Sequence, residues 1–181
     1  MASTMNDYRA GQKVGARSEF LAIDDVIPGT EDALRQQLAR HMGDPHITNA
    51  INQIGTLHEA RFVMLNGCNG RKQLMFASSF DGPWDVYIDD FARTDIGRAF
   101  DETWCYVEGY PGVKSPRIKE WFKERTVVAG NFVAAYPEPT VKQVLKALAV
   151  NEAFQRVLDD PAAEEALQHP ALAPLLEQAA D

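Results

Sequence analysis

The sequence predicts an α+β domain built on a four-stranded antiparallel sheet, and three observations carry the prediction. Strand-like apolar runs occupy 17–27, 57–65, 73–80 and 131–136. Between the first two runs, and again between the last two, apolar residues recur at helical spacing. The second and third runs are separated only by Asn66-Gly67-Cys68-Asn69-Gly70, residues that tolerate the positive φ of a hairpin connection. Strand, helix, hairpin, helix, strand is the split-βαβ, ferredoxin-like order. Such a sheet carries its helices on one face, so the other face must be wet, occupied or covered by a partner.

Residues 1–17 mix Ser, Thr, Asn, Gly and charge and read as a loose arm, 18–150 as the α+β domain and 151–181 as a helical tail. In the first strand Phe20, Ala22 and Val26 alternate with Leu21, Ile23 and Ile27, so both faces are apolar. Pro28-Gly29-Thr30 ends it, and Thr30 is placed to cap a helix over 31–42 with Glu31 and Asp32 in its first turn and Leu34, Leu38 and His41 or Met42 on its inner face. The stretch 43–55 reads as loop with a short helix around Ala50–Ile54. In the second strand His58, Ala60, Phe62 and Met64 share one face, and Leu57, Glu59, Arg61, Val63 and Leu65 the other.

Asp81-Gly82-Pro83 opens a helical region whose stripe runs Trp84, Ile88, Phe91, Ile96, Phe100, Trp104, with a break near Thr94–Gly97 that divides it in two. A Gly/Pro loop follows. Ser115-Pro116 then starts a short helix with an Ile118, Trp121, Phe122 stripe, an insertion expected to cover part of the domain. After the strand over Asn131–Tyr136, Thr140-Val141-Lys142-Gln143 reads as a capping box, and Val144, Leu145 and Leu148 are expected to lie face down. Pro161, Pro170 and Pro174 cut the Ala/Leu/Glu-rich tail into helical pieces.

Eighteen basic and 26 acidic residues give a net charge of −8, which argues against nucleic acid as a partner. Cys68 and Cys105 stand apart, with no CxxC or Cys/His spacing for zinc, and read as free thiols of a cytoplasmic protein. No run approaches the roughly 18 apolar residues of a membrane span. Nucleotide-loop, serine-hydrolase, zinc-protease and EF-hand motifs are all missing from the sequence, and no metal site is signalled.

Three constellations remain. In Thr56-Leu57-His58-Glu59-Ala60-Arg61-Phe62, His58 is either a general base or haem ligand in an apolar pocket, or a core or strand-end histidine hydrogen-bonded to backbone. Arg61 either holds an anionic ligand or pairs with a neighbouring carboxylate such as Glu59. Around the helix start, Asp81 and Asp85 suit the positive end of the helix dipole, Asp89 and Asp90 read as a solvated face rather than as metal ligands because no histidine shares their spacing, and Tyr87 borders the apolar stripe with its hydroxyl able to turn inward. The third segment runs from Trp104 to Gly112. It gathers an indole, the Cys105 thiol, the Glu108 carboxylate and the phenols of Tyr106 and Tyr110, as a ligand-binding loop or as an aromatic plug. A Cys105 nucleophile would need His58 or His41 brought to it by folding.

The residues Thr56-Leu57-His58 with Ala60-Arg61-Phe62-Val63, Phe76-Ala77-Ser78 with Phe80-Asp81-Gly82, and Glu108-Gly109-Tyr110-Pro111 resemble bacterial proteins of the dimeric α+β barrel superfamily. That superfamily includes antibiotic-biosynthesis monooxygenases, chlorite-dismutase-like proteins and dye-decolourising haem proteins. The resemblance spans roughly 19–149. It implies a homodimer whose two sheets pair, and a pocket for a small apolar or aromatic molecule, with haem as a candidate cofactor and a monooxygenase-like or haem-dependent oxidoreductase as a candidate activity. His58 is then the candidate catalytic residue, and Arg61, Tyr87, Trp104 and Tyr110 the candidate ligand contacts. The alternative is a ligand-binding or assembly protein without catalysis, whose apolar sheet face serves only dimerisation.

Overall fold

A computed structural model describes residues 11–68 and 70–179. It contains an α+β fold with one four-stranded antiparallel sheet, β1 (Lys13–Val14), β2 (Arg17–Asp25), β3 (Leu57–Asn66) and β4 (Lys72–Asp81), in spatial order β1-β2-β4-β3. The expected hairpin is β3–β4, with Phe62 opposite Phe76 and Met64 opposite Leu74. β4 in turn pairs with β2, setting Ala22 opposite Phe76 and Phe20 opposite Ser78. The expected arm over 1–17 lies outside the described residues as far as Ala10, and from Lys13 it contributes β1.

Among the described residues there are eight α-helices: α1 (Glu31–His41), α2 (Pro45–Ile54), α3 (Trp84–Arg93), α4 (Ile96–Trp104), α5 (Ile118–Arg125), α6 (Val141–Leu158), α7 (Glu164–Leu167) and α8 (Ala173–Ala179). The anticipated break after α3 is real. At Gly97 a Cβ would lie 2.4 Å from the Phe91 carbonyl oxygen, so the two helices meet more closely than any other residue allows. α2 is longer than expected because Pro45 occupies its first turn and the Asp44 side chain accepts from the His46 N–H at 2.8 Å.

Two expected caps are not made. The Thr30 hydroxyl donates backwards to the Ile27 carbonyl, and Asp81 is engaged elsewhere, leaving Pro83 at the N-cap of α3 without a side-chain bond.

Helices α1–α5 share one core with one face of the sheet. Phe20, Leu74, Phe76 and Phe80 meet Leu34 of α1, Tyr87 and Phe91 of α3, Phe100 and Trp104 of α4, and Trp121 and Phe122 of α5, all buried. The rings interlock edge to face: Phe20 with Phe122 at 5.4 Å, Phe76 with Phe100 at 5.2 Å and Trp104 with Trp121 at 5.4 Å, geometries that add to area burial. The inserted α5 thus roofs the end of the core beside Phe20 and Trp104.

Asn131–Tyr136 is not a strand, which corrects the expected sheet. The outer edge of β2, where a returning strand would pair, is already used by three other pieces of chain. Lys13–Val14 pairs with Arg17 and Ser18, Thr126–Val127 bridges at Leu21 and Ala22, and Val107–Glu108 bonds at Asp25 and Val26. With those backbone groups satisfied, 131–136 has no ladder to join. Pro137 and Pro139 just beyond could not donate to one. Instead the chain passes the end of the sheet, where the Ala16 N–H donates to the Pro137 carbonyl at 3.0 Å and the Tyr136 ring stacks 4.4 Å from the buried Arg17 guanidinium.

The chain divides into two compact units, up to Val141 and from Lys142 onward. In the second, α6 runs unbroken through position 150, and no residue of it is buried; Leu145 and Leu148 are exposed. Each tail proline opens a helical piece, Pro161 and Pro170 starting short 3₁₀ turns and Pro174 lying in the first turn of α8.

Candidate functional site

A groove of about 800 Å³ runs between the outer strand β3 and helices α1, α2 and α4, within the ordinary size range of ligand pockets. Sequence order explains its place. β3 is the last strand of the sheet, and among the described residues no backbone bond is made along its outer edge, so α1 and α2 flank it without closing over it. Phe76, Phe91 and Phe100 reach the groove from the core, Phe62 from β3, and Ile47 and Ile51 from α2. Phe62 joins the groove to the core, packed 4.8 Å from Phe76 and 6.1 Å from Phe100.

The ionisable residues lining the groove are Arg35, His41 and Arg61. His41 ends α1, where Gln37 Nε2 lies 2.7 Å and Glu102 Oε2 3.2 Å from its Nε2, and Thr103 Oγ1 lies 3.3 Å from its Nδ1. Thr103 is fully buried and donates to the Ala99 carbonyl, so its hydroxyl orients the imidazole rather than serving as a nucleophile. The sequence offered His41 as a helix-face residue or as a base that folding would have to bring to Cys105, not as part of a groove. Its one readable signal was Gln37 four positions earlier on the same face.

No family model, curated protein or solved structure matches this chain. What the site can do must therefore be read from its own residues.

His58 does not line the groove. Leu57 pairs with Phe80 and Glu59 with Ser79, so His58 is the extra residue of a β-bulge, and the bulge releases it from the face it was expected to share with Phe62 and Met64. Its Nε2 lies 2.8 Å from Asp81 Oδ1, both side chains about nine-tenths buried, and Asp81 Oδ2 accepts the Val141 N–H at 2.7 Å. Asp81 thereby ties β3, the end of β4 and the start of α6. With Nε2 so engaged and no wall of the groove formed by it, His58 does not fit an axial haem ligand there.

The other candidates separate as well. Arg61 is at the groove, exposed, 3.6 Å from Glu59. Trp104 and Tyr110 belong to the roof of the core with Trp121, and the Tyr110 hydroxyl donates to Asp101 at 2.8 Å. Tyr87 is buried against Phe80, rings parallel at 3.8 Å. Its hydroxyl lies near Ser78 Oγ, but neither group makes a hydrogen bond of good geometry. Tyr87→Phe should therefore cost little and can stabilise, since the hydroxyl gains nothing for its desolvation. Thermal melts should place the variant within about 1 kcal/mol of the parent or above it.

Burial, joined for Tyr110 by its bond to Asp101, holds both phenols above the ordinary tyrosine value of 10.0. In the unfolded chain they ionise near that value, and in the folded protein later. Their contribution is thus complete below about pH 10 and is lost as pH rises past it, at up to about 1.4 kcal/mol per pH unit for each tyrosine. Urea midpoints measured from pH 9 to 11.5 should fall steeply above 10, and Tyr87→Phe should flatten that fall.

Cys105 and Cys68 are exposed free thiols. Partial burial pushes the Cys105 thiol up, and Asp101 and Glu102 push it further, so it stays protonated near neutrality and is a poor nucleophile. Among the described residues no group of three His, Cys, Asp or Glu is placed to hold a metal ion, and no helix is long and apolar enough to cross a membrane.

Proposed function

We propose that this protein binds a small apolar or aromatic molecule in the groove beside β3. The observation that carries the reading is an 800 Å³ concavity floored by Phe62, Phe76, Phe91 and Phe100 that opens at an edge strand rather than being filled by the chain's own side chains. The reading is of binding, without a catalytic step. It places the domain with ferredoxin-like proteins of the dimeric α+β barrel type, supported by the order β2-β4-β3 with its helices on one face. The free thiols support a reducing, cytoplasmic setting.

Ala60 is an exposed groove residue on β3, so Ala60→Trp should obstruct the mouth without disturbing the core. Titration with a neutral solvatochromic dye should give saturable binding to the parent and at least about tenfold weaker binding to Ala60→Trp, with unchanged melting temperature. Equal binding by both proteins would remove the groove as the site. Organic extraction of purified protein followed by mass spectrometry should recover a retained apolar compound.

A second reading, self-assembly, is favoured by the helix-free face, where Leu21, Ile23, Val63, Leu65, Met75 and Ala77 are only half-buried in the single chain. Isologous pairing of two such faces would cover them. Sedimentation at micromolar concentration should give dimer mass, and monomer mass would refute it.

A further inference from the structure

Resting on the groove as a binding site, the charges around it specify the ligand further. In a chain of net charge −8, the groove is lined by Arg35, His41 and Arg61 and by no aspartate or glutamate. Arg35 comes from α1 and Arg61 from β3, so the cations stand on two different walls of one apolar trough.

Neither arginine is committed within the protein. Arg35 Nε lies 3.9 Å from Asp32 and Arg61 Nη2 3.6 Å from Glu59, both pairs more than half exposed, the kind of surface pair that contributes least. Arg71 and Arg125, elsewhere in the domain, are held very differently. Arg71 joins Asp25 at 3.0 Å and bonds Glu108, while Arg125 bonds Asp24, donates to the Trp121 carbonyl at 2.9 Å and stacks 4.1 Å from the Trp121 ring. His41 is occupied by Glu102, Gln37 and Thr103. Two reorientable guanidinium forks thus remain at the groove, each suited to a bidentate bond with a carboxylate.

We propose that the groove takes an amphipathic carboxylate, its apolar body against Phe62, Ile47 and Ile51 and its acid group held between Arg35 and Arg61. A second charge on the body would be buried among phenyl rings without a partner, so the ligand is a monoanion with an uncharged tail.

Decanoate and decan-1-ol, which share a chain and differ in the head, test this by displacement of the neutral dye. Decanoate should bind at least about tenfold more tightly than the alcohol, and its advantage should shrink in 0.5 M salt as ion pairing is screened. The double variant Arg35→Gln/Arg61→Gln, at two exposed positions, should lose that advantage while binding decan-1-ol as before. Equal affinities of the parent for acid and alcohol, or a double variant that keeps the preference for the acid, would overturn the carboxylate proposal and leave the groove as an apolar site. Failure of both compounds to displace the dye would overturn the groove reading itself.

Discussion

Replacing Trp104 by alanine is expected to destabilise the first unit by about 3–5 kcal/mol, as large-to-small changes at buried tryptophans do. The indole is fully buried and touches rings from three other elements and from its own helix: Phe62, Phe76, Trp121 and, within α4, Phe100 lie with centroids between 5.4 and 6.4 Å away. Its Nε1 makes no hydrogen bond, so the whole contribution is packing. Against a typical total of about 5–15 kcal/mol, urea unfolding followed by circular dichroism should show a large fall in midpoint, and Trp104→Phe should recover much of it. A Trp104→Ala protein of parental stability that no longer takes up ligand would return this residue to the ligand-contact role first expected of it.

Asp81→Ala should cost about 3 kcal/mol, because it removes the partner of a buried imidazole and the acceptor of the Val141 N–H in one change. His58→Ala should cost less, on the order of 1–3 kcal/mol, since Asp81 keeps the Val141 bond. The double variant should then be more stable than the sum of the two losses implies, and a urea double-mutant cycle reads the coupling directly. Strict additivity would mean that the 2.8 Å contact contributes nothing. Dye binding in the groove should be unaffected by His58→Ala, which separates this structural role from a ligand-holding one.

Much of the fold was legible in the sequence because local chemistry dictates it. Period-two alternation from Leu57 to Phe80 around a glycine-rich turn leaves little besides a hairpin, and the Trp84-to-Trp104 stripe with its fault at Thr94–Gly97 divides into α3 and α4 as expected. The start of α2 was also present as Asp44-Pro45, an N-cap followed by an N1 proline, though Ile51 and Ile54 drew the expectation to its far end.

Tertiary competition decided the rest. Asn131–Tyr136 has the composition of a strand, but a strand exists only where an edge offers unpaired backbone groups, and three short segments had already taken the edge of β2. The bulge that moves His58 away from Phe62 arises from the β3–β4 register, a property of two strands together that neither run encodes alone. Thr30 and Asp81 are cap-forming residues whose oxygens found nearer or better-buried partners. The groove is the least local feature of all, since Arg35 and Arg61 become neighbours of one cavity only when α1 and the outermost strand fold beside each other. The sequence by itself determined β2, the β3–β4 hairpin and helices α1, α3, α4 and α5 with the apolar stripe each one buries, because those depend on spacing along a single segment. Which edge was free, where an imidazole turned and which charges gathered around an empty space were decided by packing between segments distant in the chain.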